Sequence, residues 1–237
     1  MFNAPPWIRL QQWYQCVIAP ETDLLLKHVE EIEAQVARGI ASFHAGKEKE
    51  VFIEGTDEDE HAQVITHYNG LDDMEWDLGE VFEVYFPNLQ RGAAVISLYA
   101  FFEFELDRLC RLMNEIAPSR LQLSDMAGKG IDRAVTYLHG VHGLEVQRGG
   151  PAWQEVKQIQ ALRNVLVHLN GRLMGKSAAN VIAYVDRSAP LLKRDGTSLR
   201  IQSGYGKHAL GAFVRYFEVL NGELERVSET LKDARPA

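Results

Sequence analysis

The sequence predicts an all-α fold: a helical bundle with an extra helical region on its N-terminal side and a small β-hairpin before the last helix. Three observations carry this. Apolar residues recur at three- and four-residue steps along several long segments, the spacing of one helix face. That period is interrupted once, between residues 180 and 202, by a β-branched run and an Asp-Gly turn. The 237 residues, 46% of them hydrophobic, can bury a core without staples. The two cysteines, Cys16 and Cys110, stand far apart and form no Cys-x-x-Cys pair, which suggests neither a disulfide framework nor a zinc knuckle.

Taken in order, Leu25, Val29, Ile32, Val36, Ile40 and Phe43 define a helix between Thr22 and His44. Gly46 to Gly55 reads as a charged linker. Thr56, followed by Asp57, Glu58, Asp59 and Glu60, reads as an N-cap with carboxylates at the positive helix end, so a second helix is expected there. It breaks at Asn69-Gly70, resumes through Met74, Leu78, Val81 and Tyr85, and stops at Pro87. Val95, Leu98, Phe102, Leu106, Leu109, Met113 and Ile116 form an unbroken stripe ended by Pro118, the expected central helix. A shorter helix is placed from a Ser124 cap to Leu138, with Gly143 to Gly150 as a loop. From Ala152 to Leu169 another helix turns Val156, Ile159, Leu162, Leu166 and Leu169 inward, and Asn170-Gly171 supplies a left-handed C-cap. Val181 to Val185 is β-branched and aromatic, and Leu191-Leu192 faces Leu199 and Ile201 across Asp195-Gly196. The final helix, Lys207 to Leu231, rests on Leu210, Phe213, Phe217, Leu220, Leu224, Val227 and Leu231. The division is thus an acidic helical region over residues 1–88, packed on a helical domain over 89–237 that carries the hairpin at 180–202.

The net charge of −8 is unevenly spread. Residues 1–90 hold 5 Lys/Arg against 18 Asp/Glu, a balance of −13, and residues 91–237 hold 20 against 15, a balance of +5. A mildly basic back half permits a local phosphate-attracting field despite the overall sign, because exposed charges beyond about 10 Å are screened. The acidic front reads first as a solvated, solubilising surface and second as a partner-binding or autoinhibitory extension. No basic stretch followed by an apolar one opens the chain, and the most apolar run, Ala93 to Phe102, is too short to span a bilayer. A soluble cytoplasmic protein is expected.

Chemistry concentrates in Arg163-Asn164-Val165-Leu166-Val167-His168, at the end of the 152–169 helix. An arginine is a permanent cation, and a histidine, with an ordinary pKa of about 6.5, moves protons near neutral pH. No metal-ligand set accompanies them, and no cofactor motif is found. Arg163 and His168 lie five residues apart, about 140° around the axis, whereas Asn164 and His168 share a face. Convergence on one phosphate therefore needs the reach of the arginine and a loosened last turn. The duller reading is that His168 stabilises the negative helix end and Arg163 is a solvated side chain.

An all-helical domain with a long helix before, Arg-Asn-x-x-x-His closing a later helix, and a terminal amphipathic helix resembles the HEPN superfamily over roughly Leu89 to Leu231. The resemblance implies a metal-independent endoribonuclease acting as a homodimer with the two motif helices facing each other. It further implies a toxin or antiphage effector with an antitoxin or defence-system partner. Arg163 would bind the phosphate, His168 would transfer the proton, and Asn164 would orient His168 or the RNA. Arg172 and Lys176 extend the positive charge toward an RNA backbone or are simply solvated. Glu103 and Asp107, one turn apart on the central helix, would steady Arg163 or pair with Arg111 and Arg108. Some HEPN toxins carry a tyrosine two residues after the histidine that a nucleotidyltransferase modifies. This chain has Asn170 there, so control by that route is not supported. The alternative to an enzyme is a non-catalytic dimerisation or protein-interaction module of the same fold.

Other patterns lead nowhere. Glu58-x-x-His61 is half of a di-iron site with no second half. His139 and His142 read as loop histidines without companion ligands. Gly204-Tyr205-Gly206-Lys207 lacks the Walker spacing and reads as a cap and turn.

Overall fold

The computed structural model describes residues 5–54, 61–175 and 178–233. Among these, seven α-helices and two small sheets follow one another. Helix α1 (Pro6–Gln11) and a π-helical turn (Tyr14–Ile18) lead into α2 (Ala19–Gly46). Strands β1 (Glu48–Glu54), β2 (His61–Tyr68) and β3 (Leu71–Asp72) come next. A second π-helical turn (Glu80–Tyr85) runs directly into α3 (Phe86–Ile116), and a 3-10 turn (Leu123–Asp125) precedes α4 (Gly130–His142). Helix α5 (Pro151–Leu169), α6 (Ala178–Arg187), the hairpin β4 (Leu192–Asp195) and β5 (Ser198–Ile201), and α7 (Tyr205–Asp233) complete the chain.

The predicted stripe of α3 is buried as expected, from Val95 through Met113, and α2, α4, α5 and α7 all pack against this helix. Phe102 stacks on Phe213 of α7, with centroids 4.6 Å apart and an interplanar angle of 17°. Leu10, Trp13, Ile18 and Val29 belong to the same core cluster, and Trp13 meets Phe217 edge-on at 5.6 Å. α1, the first π-helical turn and α2 are thus seated on the bundle through their apolar side. No helix among the described residues is long and apolar enough to cross a membrane.

Four expectations are corrected. The 46–55 linker and the helix after it give way to an antiparallel three-stranded sheet in the order β1-β2-β3. The fold is therefore mostly helical but carries a second β unit. Val51, Phe52 and Ile53 face Val64, Gln63 and Ala62 across the ladder, so β-branched and aromatic residues prevail locally. Asn69 and Gly70, at φ 49° and 77°, form the two-residue turn that joins β2 to β3; an Asn-Gly pair makes a primed hairpin turn as readily as it breaks a helix. The proposed N-cap Thr56 and its four carboxylates lie outside the described residues.

Pro87 does not end a helix. It sits in the first turn of α3, where the hydrogen-bond ladder changes from π to α winding and a missing N–H costs little. The segment 181–185 is helical: Ala178, Val181, Tyr184 and Val185 share one buried face of α6, and that three-four period outweighs their β-propensity. Ser124 lies inside the 3-10 turn, whose Gln122 N–H donates to Asp125 at 2.8 Å. Helix α4 begins only at Gly130, which places His139 and His142 in its last turn and not in a loop.

The end of α5 is fixed from two sides. Asn170 and Gly171 take positive φ, and the Gly171 N–H reaches back to Val165 O at 3.1 Å, so the helix closes as the C-cap pattern predicts. The chain then joins the hairpin: Leu199 N–H donates to Gly171 O at 2.9 Å and Leu173 N–H to Thr197 O at 2.7 Å. From α3, Asn88 locks the other side of β5, donating to Leu199 O at 3.0 Å and accepting from Ile201 N–H at 2.7 Å. Replacing Asn88 by Ala strands both partners. Asn88→Ala is expected to cost about 1–3 kcal/mol in a urea unfolding titration, with hydrogen exchange quickening first at β5 and at residues 171–173.

Candidate functional site

Gly92 of α3 lies under Leu166, and Tyr99 lies against Gln160 and Arg163, so α3 and α5 run antiparallel with the motif at the end nearest the start of α3. The buried face of α5 consists of Trp153, Val156, Ile159, Leu162 and Val165. The predicted inward stripe holds as far as Leu162 and then drifts: Leu166 is half-buried and Leu169 is 36% exposed. The helix turn does not return to the same line every three or four residues, and Val165 takes the last inner place.

Arg163 is half-buried. Its guanidinium lies over the Tyr99 ring at 5.2 Å, an Nη donates to Asn164 Oδ1 at 3.2 Å, and its Nε is buried without a partner. Behind it runs a polar chain that the sequence reading missed. The Gln160 amide donates to Tyr99 Oη at 3.0 Å, Lys157 Nζ donates to Gln160 Oε1, and the same ammonium pairs with Asp132 at 2.6 Å. Burial, and next the charge of Glu103, hold the Tyr99 phenol well above its usual range, so it stays neutral under the cation. The signal was present in the three-residue spacings Lys157-Gln160-Arg163, which put three polar side chains on one face of the helix.

His168 is exposed in the last turn and, among the described residues, makes no hydrogen bond, ion pair or ring contact. The structure brings Arg163 and Asn164 together but does not join either to His168. Asn164 and His168 are both exposed, one turn apart. Arg172 is exposed and bridges Ser198 through its backbone, while Lys176 lies outside the described residues. Neither carboxylate singled out on α3 pairs with Arg163. Glu103 rests over Gly130, where an added Cβ would lie 2.5 Å from Oε1, and Asp107 faces Arg133 of α4 at 3.9 Å. Arg108 is taken by the fully buried Glu105 at 2.8 Å.

His168 is flanked along the chain by the exposed Val167 and Leu169; Leu89 and Met174 are exposed too, as are Tyr85 and Phe86 at the start of α3. A shallow cavity of about 140 Å³ lies among Tyr85, Asn88, Leu89, Ile96, Leu166 and Asn170. No group of three or more potential metal ligands occurs among the described residues.

No protein-family model, curated protein or solved structure matches this chain. Its chemistry must be read from its own residues.

A second polar cluster, also missed, joins α5, α6 and α7. Glu155 accepts from Tyr184 Oη at 2.7 Å and from His208 Nε2 at 2.8 Å, and Tyr184 Oη lies 3.1 Å from Tyr205 Oη. The sequence hid it because Tyr184 sat in a segment read as strand. The His208 hydrogen bond is the main cause that pulls the Glu155 carboxyl below its usual value, against the opposing effect of burial. A carboxyl lowered in the folded state adds stability that is complete above the ordinary carboxylate range and is lost as pH falls through the folded value. Melting temperature measured against pH should therefore decline on the acid side, and Glu155→Gln should flatten that decline while lowering stability at neutral pH.

Proposed function

We propose that this chain is a metal-independent endoribonuclease of the HEPN type, working as a homodimer and acting as a growth-arresting toxin or antiphage effector. The observation that carries the reading is the end of α5: an arginine and an asparagine held together, and an unengaged histidine one turn on, flanked by the exposed Val167 and Leu169. Apolar patches of this kind are normally covered by a partner. A second copy laid across α5 and the start of α3 would bury Leu89, Val167 and Leu169 and bring two histidines and two arginines to one cleft.

In that cleft one His168 takes the proton of a ribose 2′-hydroxyl. The 2′-oxygen bonds to the adjacent phosphorus, the bond from phosphorus to the 5′-oxygen breaks, and the second histidine, protonated, gives its proton to the departing oxygen. A 2′,3′-cyclic phosphate and a 5′-hydroxyl result. Arg163 offsets the charge that builds on the phosphate, Asn164 orients the base or the RNA, and Arg172 and Lys176 hold backbone phosphates. One histidine alone cannot be acid and base in the same step, which is why the mate matters.

A second reading, a non-catalytic interaction module, has one observation in its favour: Arg163 is already engaged by Tyr99 and Asn164. The two readings separate in one experiment. The wild-type chain is expected to cleave RNA in EDTA and to slow growth when expressed. His168→Ala should reduce cleavage by roughly 10²–10⁴-fold with an unchanged melting temperature, since that imidazole holds nothing in place. Arg163→Ala should lower both. Cleavage that survives in His168→Ala, or wild-type protein with none, ends the nuclease reading and leaves the module.

A further inference from the structure

Far from the motif, α1 and the first π-helical turn stand off the C-terminal half of α3 and leave a cleft of about 440 Å³. By helix rise, its α3 wall at Arg108 is roughly 24 Å along the axis from Gly92, where the end of α5 packs. Arg9 lines it from α1, and Gln12, Trp13, Cys16 and Val17 follow; Arg108, Arg111, Leu112 and Glu115 line it from α3.

Three guanidiniums in a space of this size need a reason, and how they are held supplies one. Arg108 and Arg111 both lie over the ring of Phe104, at 5.8 and 6.0 Å. Arg108 is anchored from below by Glu105, whose Oε1 accepts at 2.8 Å while its Oε2 is buried without a partner. Burial pushes the Glu105 carboxyl above its usual value, against the opposing pull of Arg108. Arg111 makes no hydrogen bond or ion pair among the described residues. Arg9 reaches across to Glu115 at 2.7 Å, so the one carboxylate lining the cleft is already matched. Two planar donor forks fixed on one aromatic ring form a receptor for an oxyanion. Beside them Trp13, Val17 and Leu112 give an apolar wall, and the volume lies in the range of small-molecule sites.

We propose that this cleft binds a small phosphomonoester with an apolar or aromatic body, of nucleoside monophosphate size, its phosphate on Arg108 and Arg111 and its body against Trp13, Val17 and Leu112. The site is independent of the ribonuclease reading, and either can fail without the other.

Cys16 gives a direct readout. It is exposed and lines the cleft, whereas Cys110, the only other cysteine, is buried with its thiol pushed up to about 12. Alkylation of the intact chain therefore reports on Cys16. Adenosine monophosphate at about ten times its Kd should slow that alkylation about ten-fold, and adenosine or inorganic phosphate at the same concentration should do so far less. Arg111→Ala, which disturbs no hydrogen bond, should abolish the protection without changing the melting temperature; Arg111→Gln is the second variant, read in the same way. The proposal is overturned if adenosine monophosphate gives no protection, if both variants retain it, or if inorganic phosphate alone protects equally.

Discussion

The burial of α3 is the constraint on which the rest of the structure depends. Over 31 residues, and so about 46 Å of axis, this helix meets α2, α4, α5 and α7 and touches the strand β5. A helix enclosed by neighbours on most sides cannot be lined by a single narrow stripe. Its buried set accordingly includes Ala94, Tyr99, Glu105 and Cys110 beside the large apolar residues that mark its inner line. Those additions are where the polar features of the molecule arise. Tyr99 carries Arg163, Glu105 carries Arg108, and Asn88 at the helix start carries the hairpin. One element therefore furnishes the footing of both the motif and the arginine cleft, at opposite ends.

How far the fold could be read from the chain depended on whether a segment's periodicity competed with its composition. α3, α5 and α7 have both in agreement, and their inner faces follow the sequence from Val95 to Met113 and from Val156 to Leu162. At 181–185 the two disagree: valine, isoleucine and tyrosine favour a strand, yet the spacing of Val181, Tyr184 and Val185 is helical and burial enforces it. Between 48 and 72 the acidic residues suggested a helix start, whereas the deciding signal was the Asn69-Gly70 turn with β-branched residues on its N-terminal side. The site divides along the same line. The cap at Asn170 and the exposure of His168 follow from local sequence, but the footing of Arg163 does not. Tyr99 stands some sixty residues earlier, and only tertiary packing makes it the surface on which the guanidinium rests.

Charge is segregated more sharply than the two halves suggest. Residues 48–83, which hold the three-stranded sheet and the second π-helical turn, contain 13 of the 33 Asp/Glu against a single lysine, so the remainder of the chain is +4. The acidic character thus belongs to one inserted unit and not to α1 or α2 as such. Its root is tied to the hairpin by Glu80, which pairs with Arg200, and to the end of α2 by Glu83, which lies 3.4 Å from His44. Both the arginine cleft and the end of α5 lie on the positive remainder, whose net charge favours the approach of an anion.

The geometry of α5 explains why a single copy is an incomplete device in the proposed reaction. Five residues separate Arg163 from His168, and the helix carries them about 140° apart. Packing engages the arginine elsewhere: Arg163 settles on Tyr99 of α3 while His168 remains in solvent. Bending the last turn cannot close the gap, since Gly171 and Leu173 are hydrogen-bonded into the hairpin and Asn88 holds that hairpin to α3. In the proposed dimer the missing group would come from a symmetry mate laid over the exposed Leu89, Val167 and Leu169. For the proposed reaction that fixed end would be an advantage, because groups held in place by hydrogen-bonded chain lose little entropy when a phosphate arrives.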